Sequence, residues 1–403
     1  MKILYITAEG FDTPNPNNQM AEVMINEFLN NEHLVHLIQS HRKGINEDIP
    51  NSLKNRKGFV VDTIFRKDIV KTNLIKRYLN DIKYAFSCIK YWKKNKEADV
   101  VYLQSNPTIV FTILLLKLFL KKVPIVYSIY DVFPGHSYEI GVIKSKTIYN
   151  ILRIIQKPCY YFSSAILVLS EDMKQKVIEL GVKSEKIYVV PAWFDVNTIR
   201  EIETKDNRFI KKYDIPTDKF YLQFAGTIGY VFNYETVIEL AKRLKQENNI
   251  IIQIIGEGNV KNQFMAETKR NKLNNIKFYP LQPMELVADV YSACNLCIIP
   301  LKKGVIGNGF PSKTPILMAC KRVIIASVEM NSYYCQMFSS KKMGVGVEIT
   351  DYDRLAEEIL RLYRSPETIS LMANNAYDFC AKNYSSSLSV RKLIDILECV
   401  GKK

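Results

Sequence analysis

The sequence predicts an α/β protein built from two doubly wound, parallel-sheet domains of the Rossmann-like kind. Short apolar runs rich in Val, Ile and Leu recur along the chain, and segments with helical spacing of apolar residues separate them. Continuous apolar runs indicate parallel strands covered by helices on both faces, because strands with one solvated face alternate apolar and polar residues. At 403 residues the chain is long enough for two or three domains.

Two series of strands account for the two domains. The first comprises residues 2–7, 34–39, 59–64, 100–104, 125–130, 165–169 and 187–190, and the second comprises residues 220–225, 250–255, 276–279, 296–299, 323–326 and 345–349. Helices are expected at residues 20–29, 234–244 and 355–363, and another begins after Ser170, a typical N-cap residue followed by two acids. We predict a first domain at residues 1–195, a second at 196–384, and a helix at 385–403 that returns to the first domain. The cleft between the two domains is the expected ligand site.

The positive charge of the chain is unevenly distributed. The net charge is +15, and residues 66–96 contain ten basic and two acidic residues. Such a concentration predicts an anionic partner: a nucleic acid, a membrane surface or a phosphorylated substrate.

The cysteines and the apolar runs indicate a reducing, cytoplasmic location. Eight cysteines are scattered among mostly apolar neighbours, and the pair Cys294 and Cys297 has no second pair to complete a zinc site. We expect Cys297 to be a buried thiol. The N-terminal apolar stretch is too short for a signal peptide, and the run at 109–120 is too short to span a bilayer.

The segment at residues 307–319 has the pattern of an anion site. It follows the apolar run at 296–301 and leads into a short helix at 316–319, with Gly307, Gly309, Ser312 and Lys313 between them. A strand, a glycine-containing loop and a helix N-terminus together favour negative charge, because free amides and the helix dipole point at the ligand. The alternative is a tight turn with a solvated lysine. The P-loop pattern is absent.

Several short motifs, taken in order, resemble the retaining glycosyltransferases of family four, which have the two-domain GT-B fold. The motifs are Phe-Ala-Gly-Thr-Ile-Gly at 224–229, Ile-Ile-Gly-Glu-Gly at 254–258, Tyr-Ser-Ala-Cys-Asn at 291–295, Pro-Leu-Lys at 300–302, Pro-Ser-Lys at 311–313 and Val-Pro-Ala-Trp-Phe-Asp at 190–195. The resemblance covers nearly the full length. Pro-Ser-Lys, with Asp-Val-Phe-Pro at 131–134, looks closest to the branch that adds sugars to polyprenyl-linked glycans of capsule or O-antigen.

The chain departs from the family pattern at three places. Asn308 and Ile316 stand where the family has two glutamates that hold the donor sugar and ribose. Thr227 and Phe232 stand at about the positions of an Arg and a Lys. The Gly-Gly of the first loop is replaced by Asn-Asn-Gln at 17–19.

The resemblance implies a metal-independent enzyme, without a cofactor, that uses a nucleotide-sugar donor, and we expect UDP-sugar rather than GDP-sugar. A leaving diphosphate can be neutralised by lysines and helix N-termini. The predicted donor-binding residues are Gly226, Thr227, Gly229, Leu281, Gln282, Gly307, Asn308, Gly309, Ser312 and Lys313. Ordinary strand-to-helix turning remains the alternative for Gly226 and Gly229, and a plain loop for Leu281 and Gln282.

The acceptor is expected at the first domain, where loops follow the strands at residues 10–19, 105–107 and 131–139. Asp131 directly follows a strand and could orient or deprotonate the acceptor hydroxyl, or cap the next turn instead. His136 could act as a base or bind an acceptor phosphate. The predicted catalytic residues are therefore Asp131 and His136, and the predicted acceptor contacts are Asn18, Gln19 and Ser105.

The basic stretch at 66–96 suggests how the enzyme meets its substrate. Its Ile, Leu, Phe and Trp residues recur at helical spacing, which suits an anionic membrane surface and a lipid-linked glycan acceptor at the inner face of the cytoplasmic membrane. A core-packed helix with a solvated basic face is the alternative. Two other functions stay open: a nucleic-acid-binding protein, although no recognised motif supports a nucleic-acid partner, and a sugar-nucleotide epimerase on the same fold.

Overall fold

The computed structural model describes residues 1–12, 16–41, 49–66, 74–95, 97–105, 109–194 and 198–402. The chain forms two compact units. The first contains Met1–Pro191, Gly307–Phe310 and Ser386–Lys403, and the second contains Ala192–Ile306 and Pro311–Ser385. Parts of the predicted loops at 10–19 and 105–107 lie outside the described residues. So do parts of the motif at 190–195 and of the basic stretch at 66–96.

In the described part of the first unit, seven parallel strands form one sheet in the order β3-β2-β1-β4-β5-β6-β7. The strands are β1 (Lys2–Ile6), β2 (Leu34–His41), β3 (Phe59–Phe65), β4 (Val100–Gln104), β5 (Ile125–Ser128), β6 (Ala165–Val168) and β7 (Ile187–Val189). The order reverses direction between β1 and β4, the kind of switch point beside which doubly wound sheets bind ligands.

Helices connect these strands. They are α1 (Pro16–Asn30), α2 (Leu74–Asn95), α3 (Val110–Phe119), α4 (Gly135–Glu139), α5 (Lys146–Phe162) and α6 (Glu171–Glu179). The predicted cap of α6 is confirmed, because the Ser170 side chain accepts a hydrogen bond from the Met173 amide at 3.2 Å. Helix α1 begins at Pro16, earlier than the apolar periodicity indicates, since proline is well suited to the first helical position.

In the described part of the second unit, six parallel strands form a sheet in the order β10-β9-β8-β11-β12-β13. The strands are β8 (Phe220–Ala225), β9 (Ile250–Ile255), β10 (Ile276–Tyr279), β11 (Leu296–Pro300), β12 (Val323–Ser327) and β13 (Gly344–Val347). The helices are α7 (Arg208–Lys212), α8 (Tyr234–Arg243), α9 (Lys261–Arg270), α10 (Val287–Ser292), α11 (Thr314–Ala319), α12 (Tyr333–Ser340), α13 (Tyr352–Tyr363) and α14 (Pro366–Asn383). The apolar strand runs are buried in a continuous core between sheet and helices.

The last helix, α15 (Ser386–Gly401), packs on α1 and β4 of the first unit. Its Leu393 and Leu397 are almost fully buried. This apolar face explains why the C-terminal segment associates with the first sheet.

The predicted fold class is confirmed, because both units are parallel-sheet α/β structures. Cys297 is buried, as predicted. Within the described ranges, no helix combines the length and apolar character needed to cross a bilayer.

Candidate functional site

The loops at the carboxyl ends of β8, β9, β10 and β11 meet at one edge of the second sheet, because these strands are neighbours and run parallel. Nearly all the predicted donor-binding residues of this unit follow those strands. The edge is therefore where a ligand of the second unit is expected.

Two glycines shape this edge where β8 and β9 end. Gly226 and Gly256 both have φ of +143°, a conformation that side chains rarely adopt. A Cβ on Gly256 would overlap the Gly226 carbonyl, and a Cβ on Gly226 would lie 2.7 Å from Lys313 Nζ. The two chain turns and the lysine therefore pack together only with glycine at both positions.

The loop after β9 supports the loop after β8. The Ile228 amide donates to Glu257 O at 2.9 Å, and the Val260 amide donates to Ile228 O at 3.2 Å. A Cβ on Gly258 would overlap the Ile228 backbone. Gly256 and Gly258 are thus structural supports of the site, a role that the motif at 254–258 did not reveal by itself.

Lys313 is partly buried beneath this turn. Its Nζ donates to Ala225 O at 3.0 Å and lies 3.7 Å from the centroid of the Phe224 ring. Burial desolvates the ammonium and lowers the pKa of Lys313 from 10.5 to about 7. The ring face and the carbonyl partly offset that loss of hydration. The lysine is not the solvated residue of a plain turn, and an anion at this edge would find a cation already desolvated.

The start of α11 offers fewer amides than the sequence predicts. The Thr314 amide donates to Pro311 O at 2.9 Å, and the next residue, Pro315, has no N–H. Ser312 is exposed beside them. The helix terminus therefore contributes little to an anion site, and Lys313 has to supply most of the positive charge.

The loop after β10 contains the residues predicted to hold a base. The Gln282 side-chain amide donates to Tyr213 Oη at 2.9 Å, and Lys212 Nζ donates to Gln282 Oε1 at 3.1 Å. Leu281 is exposed. Gln282 is therefore occupied in orienting the loop, while Leu281 presents an apolar surface that a base could cover.

Thr227 and Phe232, which stand near the positions of the family's Arg and Lys, differ in accessibility. Thr227 is exposed at the sheet edge, whereas Phe232 is buried in the core against Phe224. Gly229 is buried and packs against Thr227. Thr227 is accessible to a ligand at this edge and Phe232 is not.

The segment Gly307–Phe310 packs with the first unit, although the sequence grouped its residues with Lys313. The Val132 amide donates to Asn308 O at 2.8 Å, and Asp131 forms an antiparallel bridge with Gly309. Asn308 is buried, and a Cβ on Gly135 would overlap its side-chain oxygen. Three residues predicted to bind the donor, Gly307, Asn308 and Gly309, are thus placed with the loop that contains Asp131.

Asp131 and His136 lie side by side at this loop. His136 Nδ1 is 3.6 Å from Asp131 Oδ1, close enough for an ion pair and too long for a hydrogen bond. The carboxylate is 61% exposed, whereas the imidazole is mostly buried. A Cβ on Gly309 would lie 3.0 Å from the carboxylate and 3.6 Å from Nδ1, so glycine leaves room for the pair. The accessible carboxylate can accept a hydrogen bond from a ligand hydroxyl.

The three predicted acceptor contacts also lie in the first unit. Asn18 donates from its side chain to Gly10 O at 2.8 Å, and Gln19 is exposed. The Ser105 hydroxyl oxygen accepts from the Tyr130 amide at 3.0 Å and so positions the chain leading to Asp131. Ser105 therefore has a structural role within the described residues.

A cluster of phenols at the ends of β1, β4 and β5 did not emerge from the sequence. Burial raises the pKa of Tyr5, Tyr102 and Tyr130, and the charge of Glu9 adds to this effect at Tyr5 and Tyr130. Because Tyr5 and Tyr102 are ordinary strand residues and Tyr130 follows β5 by two residues, the pattern of the sequence did not distinguish them from core. Among the residues that the structure describes, no three His, Cys, Asp or Glu side chains cluster as metal ligands would.

Family models match both halves of the chain. The model described as Glycosyltransferase Family 4 matches residues 19–198, and the model described as Glycosyl transferases group 1 matches residues 205–379. With the two parallel sheets, these matches define the class of the protein: it is a glycosyltransferase with the GT-B fold.

Two curated proteins are similar in sequence. A probable glycosyltransferase, WbjE of Pseudomonas aeruginosa, is 23% identical over 329 residues, which is 80% of each chain. The putative colanic acid biosynthesis glycosyl transferase WcaI of Escherichia coli (strain K12) is 27% identical over 155 residues, 38% of each chain.

Solved structures show the same fold over nearly the whole chain. Sucrose-phosphate synthase of Thermosynechococcus elongatus has a TM-score of 0.77 at 13% identity, covering 99% of this chain and 98% of that one. HepE of Anabaena in complex with UDP-glucose has a TM-score of 0.73 at 14% identity, covering 99% of this chain and 100% of that one.

Proposed function

We propose that the protein transfers a sugar, with retention of configuration, from a UDP-sugar to a polyprenyl-pyrophosphate-linked glycan in surface polysaccharide biosynthesis. The observation that carries the proposal is Lys313, a desolvated cation held beneath a glycine turn at the carboxyl edge of the second sheet. A structural neighbour that binds UDP-glucose and a relative with a colanic acid name support the donor and the product class.

The leaving diphosphate is the group that needs most stabilisation. Charge accumulates on its oxygens as the sugar bond breaks, and a cation positioned in advance stabilises that charge without rearrangement. Lys313 supplies the cation, and the turn at Gly226 lets the diphosphate approach the backbone closely. The exposed Thr227 and Ser312 add hydroxyl donors at the same edge. The step is proposed to be metal-independent, as the family resemblance implies, with the lysine in its charged form offsetting part of the diphosphate charge.

The base and sugar moieties contact the remaining predicted residues. Leu281 covers one face of the base, and the loop held by Gln282 presents backbone groups to its edge. Gly307, Asn308 and Gly309 border the position of the sugar. Asn308 replaces a glutamate of the family pattern, so the sugar loses an ionic acceptor for its hydroxyls at this position.

The first unit receives the acceptor hydroxyl. In a retaining transfer of this kind, the departing phosphate helps to remove the proton of the acceptor hydroxyl, and both groups lie on the same face of the sugar. Asp131 assists by orienting the hydroxyl, and His136 stabilises the carboxylate through its proximity. Asn18, Gln19 and Ser105 provide polar contacts to the glycan.

Calorimetric titration and transfer assays test the proposal. We expect UDP to bind more tightly than GDP, and Lys313→Ala to weaken UDP binding by ~1.5–3 kcal/mol, the scale of a charge-assisted hydrogen bond. Lys219→Ala is the matched control, since Lys219 precedes β8 at the opposite edge and bonds Asn249 at 2.8 Å. Unchanged UDP affinity in Lys313→Ala would remove the lysine from the donor site.

The products decide the reaction class. Incubation of a UDP-sugar with polyprenyl-pyrophosphate-linked glycan should yield an elongated lipid whose new linkage, analysed by NMR, keeps the anomeric configuration of the donor. An altered UDP-sugar formed without any acceptor would instead identify an epimerase.

A further inference from the structure

Three neighbouring helices of the first unit expose an unusual amount of apolar surface. Helix α2 packs on α3, and α3 packs on α5. Eleven of the twenty-two large apolar side chains exposed in the described residues lie on these helices: Ile75, Leu79, Phe86, Leu114, Leu118, Phe119, Ile148, Ile151, Ile154, Ile155 and Tyr161. The three helices make up about an eighth of the chain, so the exposure is concentrated in one row.

Helix α5 shows the effect most clearly because it is apolar on two sides. Leu152 and Cys159 are buried against the unit. Ile148, Ile151 and Ile155, at helical spacing, form a second stripe that is exposed together with Ile154. A helix of a water-soluble protein normally has one apolar stripe, so the second stripe points to a non-aqueous surface.

The other two helices extend this surface. Leu114, Leu118 and Phe119 are exposed on α3, and Ile75, Leu79 and Phe86 are exposed on α2 at spacings of four and seven residues. Lys93 Nζ lies 4.6 Å from the Phe119 ring centroid and links the ends of α2 and α3. We call the exposed residues of these three helices the α2–α3–α5 face.

The charge on this face has one sign. Exposed basic residues of these helices flank the apolar stripes: Lys83, Lys90, Lys93, Lys146, Arg153 and Lys157. Helices α3 and α5 contain no Asp or Glu. The acid within α2, Asp81, is buried and paired with Arg66. The face is therefore aliphatic and cationic, with no exposed carboxylate on its helices.

The sequence assigned the membrane-binding surface to residues 66–96, whereas the structure assigns most of the exposed apolar surface to other helices. Within the stretch 66–96, Tyr84, Cys88 and Ile89 are buried, and Arg66 is engaged with Asp81. Part of that stretch is thus core packing, as the alternative interpretation held. The larger share of the exposed apolar surface belongs to α3 and α5, which follow the stretch.

We propose that the α2–α3–α5 face seats the protein on an anionic phospholipid bilayer, with the α5 isoleucines inserted at the level of the headgroups. Lysines are depleted from protein–protein interfaces, whereas aliphatic side chains framed by lysines suit a negatively charged lipid surface. The proposal deepens the proposed function, since a polyprenyl-linked acceptor lies in such a bilayer, but attachment can be measured without turnover.

Liposome flotation of the full-length protein tests the face directly. We expect recovery on vesicles of phosphatidylglycerol and phosphatidylcholine to exceed recovery on phosphatidylcholine alone, and to fall with salt. Ile151→Gln/Ile154→Gln should reduce the partition coefficient by about tenfold or more. The control is Met265→Gln/Leu371→Gln in the second unit, with side chains 42% and 59% exposed against 52% and 64% for the isoleucines.

Three results would overturn the proposal. They are equal recovery of wild type on neutral and anionic vesicles, equal loss in both double variants, and a lipid-free dimer in sedimentation that the isoleucine variant abolishes, which would assign the face to a second copy. UDP titration of the isoleucine variant verifies its fold. Absence of UDP binding in the wild type would count against the proposed function and leave the flotation result intact.

Discussion

The ammonium nitrogen of Lys313 lies 3.7 Å from the centroid of the Phe224 ring, beneath the turn at Gly226. The lysine is 88 residues from Ala225, whose carbonyl accepts its hydrogen bond. Burial desolvates the ammonium and lowers the pKa of Lys313 to about 7. The cation of the proposed donor site is therefore held in place before a ligand arrives, and its charge depends on pH near neutrality.

We predict that UDP binding weakens as pH rises from 7 to 8.5. Above the pKa of about 7, Lys313 is mostly neutral in the free protein, so binding must take up a proton and affinity falls by up to about tenfold per pH unit. UDP itself is largely ionised throughout this range and changes charge little, because a phosphate's second pKa is about 6. Calorimetry at several pH values, in buffers of different ionisation enthalpy, measures both the affinity and the proton uptake.

Lys313→Arg is the control for this pH dependence. Arginine stays charged throughout the range, so the variant should bind UDP with little pH dependence even if the larger side chain weakens binding overall. A wild-type affinity that is flat between pH 7 and 8.5 would show that Lys313 carries its charge in the free protein.

We predict that Lys313→Met stabilises the second unit at neutral and lower pH. The pKa is lowered from 10.5 to about 7, so burial of the charge costs most below pH 7, and this cost disappears as pH rises toward 10.5. The gain should be about 1–3 kcal/mol at pH 6.5 and smaller at pH 9.5. Urea unfolding followed by Trp193, a buried residue of this unit, in a Trp92→Phe background measures it. A gain independent of pH would contradict the prediction.

We predict a steric coupling between Gly135 and Asn308. A Cβ at residue 135 would overlap the Asn308 side-chain oxygen, so Gly135→Ala should destabilise the first unit by about 1–3 kcal/mol. Asn308→Ala removes the clash, and the double variant should lose less stability than the sum of the single variants. Thermal unfolding of the four proteins measures the coupling, with Ser137→Ala in the same helix as a control that should change little. Additive losses would contradict the clash.

We predict that Asp131→Asn and His136→Ala each slow sugar transfer. General acid–base assistance typically contributes ~10²–10⁴-fold, and an assisting residue should contribute within or somewhat below that range. The control is Glu139→Gln, at the end of the short helix α4 that contains His136, and it should leave turnover unchanged. UDP affinity should stay near wild type, since Lys313 belongs to the second unit. Normal turnover in both variants would move the acceptor chemistry elsewhere, with Asn18 and Gln19 the next residues to replace.

Much of the fold follows from local pattern. The second-unit strands at 220–225, 250–255 and 276–279 agree with the structure residue for residue, because each is a mainly apolar run bounded by polar or turn-forming residues. Ends set by tertiary contacts were less predictable. Strand β13, predicted at residues 345–349, is Gly344–Val347 in the structure, because hydrogen bonds to the neighbouring strand β12 determine where pairing stops.

The sequence by itself determined the fold class and the two strand series, and it predicted Lys313 as a cation after a buried strand, because these depend on neighbours a few residues apart. The tertiary structure decided which residues meet. It placed Lys313 under Gly226 and against Phe224, and it placed Asn308 and Gly309 with Asp131 in the first unit. It also separated the buried part of the basic helix from its exposed apolar face. These relationships depend on strand order and helix packing, which join residues far apart in the chain and leave no local pattern.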